Sequence, residues 1–406
     1  MNVVGIIAEY NPFHSGHAYQ IRTAKEMADA DYVVVILSGD FVQRGEPAVF
    51  DKYSRTKDAL EGGADLVFEL PVRYSLSSAG DFAYGGVKAL TELGFVTHIC
   101  FGSEQGDIDK FLKAAKTLEK EDNSRSEFGK MIEERLREGA SYPSARAEAL
   151  KNIIGETDID ELFFSAPNNI LGIEYCLALL KLNSPLIPMT LLRDGQDYRD
   201  ATNPSLKRYP SSTAIRASIA QSGTPHLELD DLSDLIIYSL RNSIREDGVL
   251  KDRHRVSEHA KDLSMDIFGR IKNELDAYTS ASDLISRVKT KAFTESRLKR
   301  CLLQSVLHLE QTDPSMPYLH LLGLNTNAGH LLRGIRGAEI DEPMAESLRP
   351  LVITRLAADL PRLSKEARRL YDQDLFAADI YRYVFQRKYN TTMPNEYMRA
   401  PVVVDR

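Results

Sequence analysis

A strand–helix alternation at the start of the chain constrains the fold more than any other feature. The apolar run Val3–Ala8 is stopped by the turn pair Asn11-Pro12 and reads as a buried strand. A helical period follows over 18–28, and Tyr32-Val33-Val34-Val35-Ile36-Leu37 is then a β-branched run ending at Ser38-Gly39. Further runs at 65–71 and 98–101, separated by helical periods at 52–62 and 79–93, continue the pattern. Alternation at this pace predicts an α/β fold with a doubly wound parallel sheet. In such a sheet, ligands gather at loops leaving the carboxyl ends of strands.

The first of these loops carries chemistry. Within Glu9-Tyr10-Asn11-Pro12-Phe13-His14-Ser15-Gly16-His17, two histidines three residues apart stand at the mouth of a helix. Backbone N–H groups and the positive end of the helix dipole favour a phosphate there. The spacing puts both imidazoles within reach of one ligand. A lone H-x-x-H would read as a capping histidine, and no third ligand is spaced nearby to make a metal site. A second cluster, Ser211-Ser212-Thr213, opens a later helix, with Arg216 four residues after Ser212. Taken alone this is capping. Beside the histidine loop it fits a polyphosphate held by hydroxyls, N–H groups and a guanidinium. Arg193 ends a strand over 186–192, and 194–208 reads as a polar, mobile loop.

The polar stretch 39–47 is a loop, and the helix over 52–62 should carry Arg55 and Lys57 on its exposed side. Residues 107–155 form a helical insertion opened by Asp107. Leu162-Phe163-Phe164 is a short strand or its remnant, and a helix runs from 173 to 182 after Pro167-Asn168-Asn169-Ile170-Leu171-Gly172. A boundary at Gly223-Thr224-Pro225 divides the chain into 1–223 and 224–406, and the second part reads as wholly helical until Val402-Val403-Val404.

Charge bears on that second part. Lys plus Arg is 51 and Asp plus Glu 59, so 51 − 59 gives a net −8, which argues against a generally basic nucleic-acid coat. Between 287 and 300, however, Arg287, Lys289, Lys291, Arg297, Lys299 and Arg300 face only Glu295. Such a run is either a solvated helix face or a contact for a phosphate backbone, and both readings stay open. His320-Leu321-Leu322-Gly323-Leu324-Asn325 and Arg333-Gly334-Ile335-Arg336-Gly337 are weaker candidates. Cys100, Cys176 and Cys301 are dispersed and odd in number, which fits a reducing compartment. The first apolar run lacks a basic flank and no later stretch approaches a membrane span, so a cytoplasmic protein without a membrane partner is expected.

Five stretches together resemble one family: residues 9–17, Ser38-Gly39-Asp40-Phe41-Val42-Gln43-Arg44-Gly45-Glu46-Pro47-Ala48, Phe101-Gly102-Ser103-Glu104, Pro167 to Gly172, and Arg287-Val288-Lys289-Thr290-Lys291. The H-x-G-H element is similar to the nucleotidyltransferase superfamily. The Gln-Arg-Gly-Glu-Pro and Pro-Asn-Asn-Ile-Leu-Gly stretches narrow the resemblance to bacterial tRNA(Met) cytidine acetate ligases, from the N-terminus to about Arg300 and more weakly beyond. The resemblance implies a nucleotidyltransferase-like, Rossmann-type sheet followed by an all-helical C-terminal domain.

It also implies a two-step reaction. ATP and acetate form acetyl-adenylate, and the acetyl group passes to the wobble cytidine of elongator tRNA(Met), giving N4-acetylcytidine. Carried over by position, the ATP site comprises Ile7, Ala8, Glu9, Tyr10, Asn11, Pro12, Phe13, His14, Ser15, Gly16, His17, Ala18, Tyr19, Gln20, Gly102, Asn168 or Asn169, and Arg193. Ser212, Thr213 and Arg216 match the second superfamily motif, and His14, His17 and Arg216 would be catalytic. The basic segment would bind the tRNA. Mg2+ would accompany the phosphates without a dedicated protein site. The first loop departs from the superfamily pattern, with Glu9-Tyr10-Asn11 where Gly-x-Phe is common. Adenylyl transfer asks for charge stabilisation and exclusion of water rather than a covalent nucleophile. Two alternatives stand beside this reading: an adenylating enzyme of the same fold acting on a small acid without RNA, and a tRNA-binding module with a vestigial nucleotide site.

Overall fold

The computed structural model describes residues 1–121, 126–155, 161–193, 212–250, 260–309, 314–332 and 350–405. The loop expected over 194–208 and the segment 333–337 lie outside the described residues. The strands are β1 (Val3–Ala8), β2 (Tyr32–Ser38), β3 (Phe41–Val42), β4 (Glu46–Pro47), β5 (Leu66–Leu70), β6 (His98–Ser103), β7 (Ile187–Leu192), β8 (Tyr318–Asn325), β9 (Leu351–Ile353) and β10 (Val402–Val404). The main sheet runs β10-β8-β5-β2-β1-β6-β7, with β9 beside β8. Every pairing in it is parallel except β5 with β8.

The β-branched runs explain the centre of this sheet. A parallel strand covered on both faces is apolar throughout, and alternate side chains enter opposite cores. Val3, Val34 and Ile36 enter one cluster with Phe82, Val87 and Leu90. Val4, Ile6, Val33, Val35 and Leu37 enter another with Ile21, Ala24, Ala59 and Leu60. The helices α1 (Ser15–Met27) and α2 (Lys52–Glu61) cover that second face. The chain winds from β1 out through β2 to β5, then returns to β6 and β7 on the other side of β1. The switch point, where a doubly wound sheet binds its ligand, is therefore between β1 and β6.

Several expectations are corrected. The part after 224 is not wholly helical: β8, β9 and β10 all belong to the main sheet, and β8 forms its antiparallel margin against β5. A short apolar run such as 318–324 cannot be told from a buried helical segment by periodicity alone. His320, offered above as a contact residue, is buried within β8 and bonds through Nδ1 to Glu69 Oε2 at 2.7 Å. Residues 162–164 lie in a helix, Glu161–Ser165, and the next helix begins at Pro167, where its missing N–H is harmless. The loop 39–47 carries a small antiparallel hairpin, β3–β4.

Arg55 is the largest correction. It is fully buried, not exposed, because 52, 55, 56, 59 and 60 form the stripe of α2 that faces the sheet. The insertion is helical as expected, over Ile108–Glu121, Glu127–Arg137 and Tyr142–Ile154.

Helices of the second half, among them Ser233–Leu250, Met265–Glu274, Ala281–Val288 and Glu295–Leu307, share a core around Leu240, Ile267, Leu284 and Leu303. Phe41 of β3 inserts into that core. The three cysteines are free and buried. Among the described residues, no helix is long and apolar enough to cross a membrane.

Candidate active site

Beyond Ala8 the backbone turns sharply, and Tyr10 takes φ +44°, a left-handed conformation that costs a side chain energy. Its neighbours hold it there. Arg55 donates from Nη1 to Glu9 O at 2.7 Å and to Ser38 O at 3.0 Å, and from Nη2 to Gly39 O. One buried guanidinium thereby ties the ends of β1 and β2 together. Asn11 Oδ1 accepts from Val49 N at 2.8 Å, and Asn11 O accepts from Arg216 Nη1 at 3.0 Å.

His14 is the N-cap of α1, its Nδ1 accepting from Gly16 N at 3.1 Å. An accepting Nδ1 leaves the proton of the neutral ring on Nε2. Nε2 lies 3.1 Å from Ser212 Oγ and donates to it. His17, one turn on, stacks against His14 with ring centroids 3.7 Å apart. Its Nδ1 is buried without a hydrogen-bond partner among the described residues. Burial lowers the pKa of both imidazoles. The positive charge of Arg193 adds to this for His14, as do His14 and then Arg193 for His17. At neutral pH the pair therefore supplies N–H dipoles, and fixed cations come from arginines.

Those arginines come from separate elements. Arg193 follows β7, its N–H donating to Ser103 O at 2.9 Å. A Cβ on Gly102 would stand 3.2 Å from Arg193 Cγ, so this side chain lies across the bare end of β6. Arg216 comes from the helix Ser212–Ser222 and also donates to Thr213 Oγ1 at 3.1 Å. Burial raises the carboxyl pKa of Glu9, opposed by Gln43 N–H, which donates to Oε1 at 2.8 Å, and by Arg44, Arg216 and Arg55.

The two asparagines are engaged differently. Asn169 is 1% exposed; its Oδ1 accepts from Glu104 N at 2.9 Å, and its N–H donates to Glu104 Oε2 at 3.1 Å. Asn168 Nδ2 donates to Glu104 Oε1 at 2.6 Å and is only half-buried. The side chain of Asn169 is thus committed inside the protein, and Asn168 is the more open of the two.

The structure brings Glu9, Asn11, His14, His17, Gly102, Arg193, Ser212, Thr213 and Arg216 around one crevice, although His14 and Ser212 are 198 residues apart. Ile7 and Ala8 lead into it from β1, the buried Pro12 follows Asn11, and Ser15, Gly16 and Ala18 form the first turn of α1. Phe13 packs behind the loop, against Gly62 at the end of α2, edge-on to Tyr10 and beside the His17 ring at 5.7 Å. Tyr19 and Gln20 lie further along α1, where Arg22 sits over the Tyr19 ring. Among the described residues, no group of three or more His, Cys, Asp or Glu gathers as a metal cluster.

The basic segment splits in two. Arg287 pairs with Asp283, Lys289 with Glu295, and Lys291 is exposed. Arg297 donates to Asp262 O. Lys299 instead bonds Glu46 Oε1 at 2.6 Å, and Arg300, 7% exposed, bonds Asp262 and donates to Gln43 O. These last two cations hold the hairpin. Sequence reasoning missed this and Arg55, and it missed a buried network in which Lys52 Nζ meets Glu69 at 2.9 Å and Glu396 at 3.0 Å. The helical stripe of α2 was the available signal for Arg55 and Lys52.

Comparison with known proteins agrees with this geometry. A family model described as HIGH Nucleotidyl Transferase matches residues 1–396. The chain is 37% identical to the tRNA(Met) cytidine acetate ligase of Clostridium novyi (strain NT), over 83% of this chain and 88% of that protein. It is 34% identical to the protein of the same name from Thermoanaerobacter sp. (strain X514), over 95% and 96%. A crystal structure of Thermotoga maritima TmcAL bound with alpha-thio ATP superposes with a TM-score of 0.82 at 27% identity, covering all of both chains. By these matches, and by a histidine loop that meets its second motif across one crevice, the chain belongs to the HIGH nucleotidyl transferase family and, within it, to the tRNA(Met) cytidine acetate ligases.

Proposed function

We propose that this protein is an ATP-dependent ligase of the cytoplasm that activates acetate as acetyl-adenylate and transfers the acetyl group to the wobble cytidine of elongator tRNA(Met). The observation that carries the reading is the meeting of His14 with Ser212, and of Arg216 with Asn11, at the mouth of α1. Two helix N-termini, two imidazoles and two guanidiniums there suit a triphosphate and little else of small size.

In the first step an acetate oxygen attacks the α-phosphorus, the bond to the β-phosphate oxygen breaks, and pyrophosphate leaves. His14, His17, Arg193 and Arg216 stabilise the charge that gathers on the phosphate oxygens and the leaving group. In the second step the cytidine amine attacks the acetyl carbonyl carbon, AMP leaves, and the amine loses a proton. Mg2+ would enter with the nucleotide, held by phosphate oxygens, because the groups facing the crevice are mainly imidazoles, hydroxyls and guanidiniums. Residues 1–223 would supply catalysis and ATP binding. Residues 224–406 would supply tRNA contacts, with Arg287, Lys289 and Lys291 exposed on the basic segment and Arg297 half-buried beside them. Pyrophosphate release measured with ATP, with and without acetate and tRNA, tests the reading. Release that needs acetate but not tRNA supports it. Release indifferent to acetate means that water, not acetate, attacks the α-phosphate. No release with acetate but release with another carboxylic acid points to a different acid, and no release with any acid points to a vestigial site.

A further inference from the structure

The crevice has two sides, and the nucleotide site proposed above uses only one of them. His17, Gly102 and Arg193 mark the β1–β6–β7 side. The other side lies over β2, whose carboxyl end feeds the β3–β4 hairpin. That hairpin is held from several directions. Gln43 N donates to Glu9 Oε1, Lys299 bonds Glu46, Arg300 donates to Gln43 O, Ser75 Oγ donates to Phe41 O at 2.9 Å, and Phe41 is buried in the helical core. At its turn, Gly45 has φ +80°, and an added Cβ would stand 2.6 Å from both Arg300 N and Lys299 Cβ. The backbone on either side of Arg44 is thus fixed, while the side chain of Arg44 is exposed. Arg44 directly follows Gln43, whose N–H donates to Glu9 Oε1 at 2.8 Å, so the turn that carries it stands beside the end of β1. The charge of Arg44 is felt by Glu9 and by Arg193 at the end of β7. No hydrogen bond within the described residues engages it.

We propose that Arg44, on the clamped hairpin, binds the carboxylate of the small acyl substrate and orients it toward the α-phosphate. The assignment rests on the ligase reading above. A planar guanidinium offers a carboxylate two parallel N–H donors, and a rigid mounting makes the position of those donors reproducible. Glu9 is held toward the hairpin by Gln43 N–H on its Oε1, and no hydrogen bond or ion pair joins it to Arg44 among the described residues. In the ligase reading the phosphates are assigned to His14, His17, Arg193 and Arg216, which leaves the carboxylate of the acid as the anion without a partner. The same hairpin touches the helix Glu295–Leu307, so the carboxylate site is built where the two halves of the chain join.

Arg44→Lys and Arg44→Gln test this with full-length protein in the tRNA-free, acetate-dependent release of pyrophosphate. The expected result is an acetate KM raised at least tenfold in Arg44→Gln and less in Arg44→Lys. The ATP dissociation constant, measured without acetate, and the melting temperature should match the parent. An unchanged acetate KM overturns the assignment. So does an acetate KM that stays fixed while the KM for tRNA, measured separately in the complete acetyl-transfer reaction, rises, which would make Arg44 a contact for RNA phosphate. If the parent binds ATP but releases no pyrophosphate with acetate, the ligase reading itself has failed, and that outcome is read from the parent alone.

Discussion

His14 uses one ring nitrogen to cap α1 and the other to reach Ser212, so the ring is aimed by its own backbone and needs no further fixing. Replacing His14 or His17 with Ala should lower acetyl-adenylate formation by at least about ten- to a hundredfold, as loss of a charge-stabilising donor does. Near-parental rates in both variants would exclude the role. A pH signature accompanies it. Both imidazoles titrate below the ordinary value of about 6.5. As pH falls below that value, the unfolded chain takes up protons that the folded chain refuses, so stability drops. The melting temperature of His17→Ala should therefore fall less between pH 7.5 and 5.5 than that of the parent. Arg216 bridges Asn11 O and Thr213 Oγ1 with separate nitrogens, a fork that lysine cannot reproduce. Arg216→Lys should raise the ATP requirement several-fold and leave the melting temperature within a few degrees of the parent; unaltered ATP dependence would argue against the contact.

Elements that follow a strong period were legible. β1, β2, β5 and β6 fall where their apolar runs lie, and α1 and α2 where the helical periods are. The Asn-Pro turn, the histidines and the Ser-Thr-x-x-Arg helix start do meet at one crevice, and each was legible because it is a local device with a local signature. What stayed hidden was long-range. Nothing local marks 318–325 as a strand, since its partner β5 is about 250 residues earlier by the Glu69–His320 pairing. The roles of Lys299 and Arg300 depend on Glu46 and Gln43, which no charge count reveals. The hairpin itself gives a test at this scale. Gly45→Ala places a side chain at φ +80° and against the backbone of Arg300. It should cost roughly 2 kcal/mol, the sum of a backbone term and an overpacking term, read from the urea midpoint. An unchanged midpoint would mean that the turn yields freely.

Across the whole molecule, the second half of the chain both completes the sheet and extends away from it. β8 seals the β5 edge, and Glu396 reaches back to Lys52 beneath the crevice loops. A buried lysine between two carboxylates is costly to break and ties the halves into one unit. Lys299 is consequently unsuited to testing RNA contact, because it braces the hairpin. Reversal of Lys289 and Lys291 to Glu leaves that brace intact. It should weaken tRNA binding and flatten its salt dependence while acetate-dependent pyrophosphate release survives. Equal affinity in parent and variant would make the segment a solvated face. The most direct test of the proposed reaction uses labelled acetate, ATP and unmodified elongator tRNA(Met), followed by digestion and nucleoside analysis. The expected result is label in N4-acetylcytidine at the wobble position, dependent on protein, ATP and acetate together. Acetate-dependent ATP consumption with no label in the RNA would contradict the tRNA-modifying role.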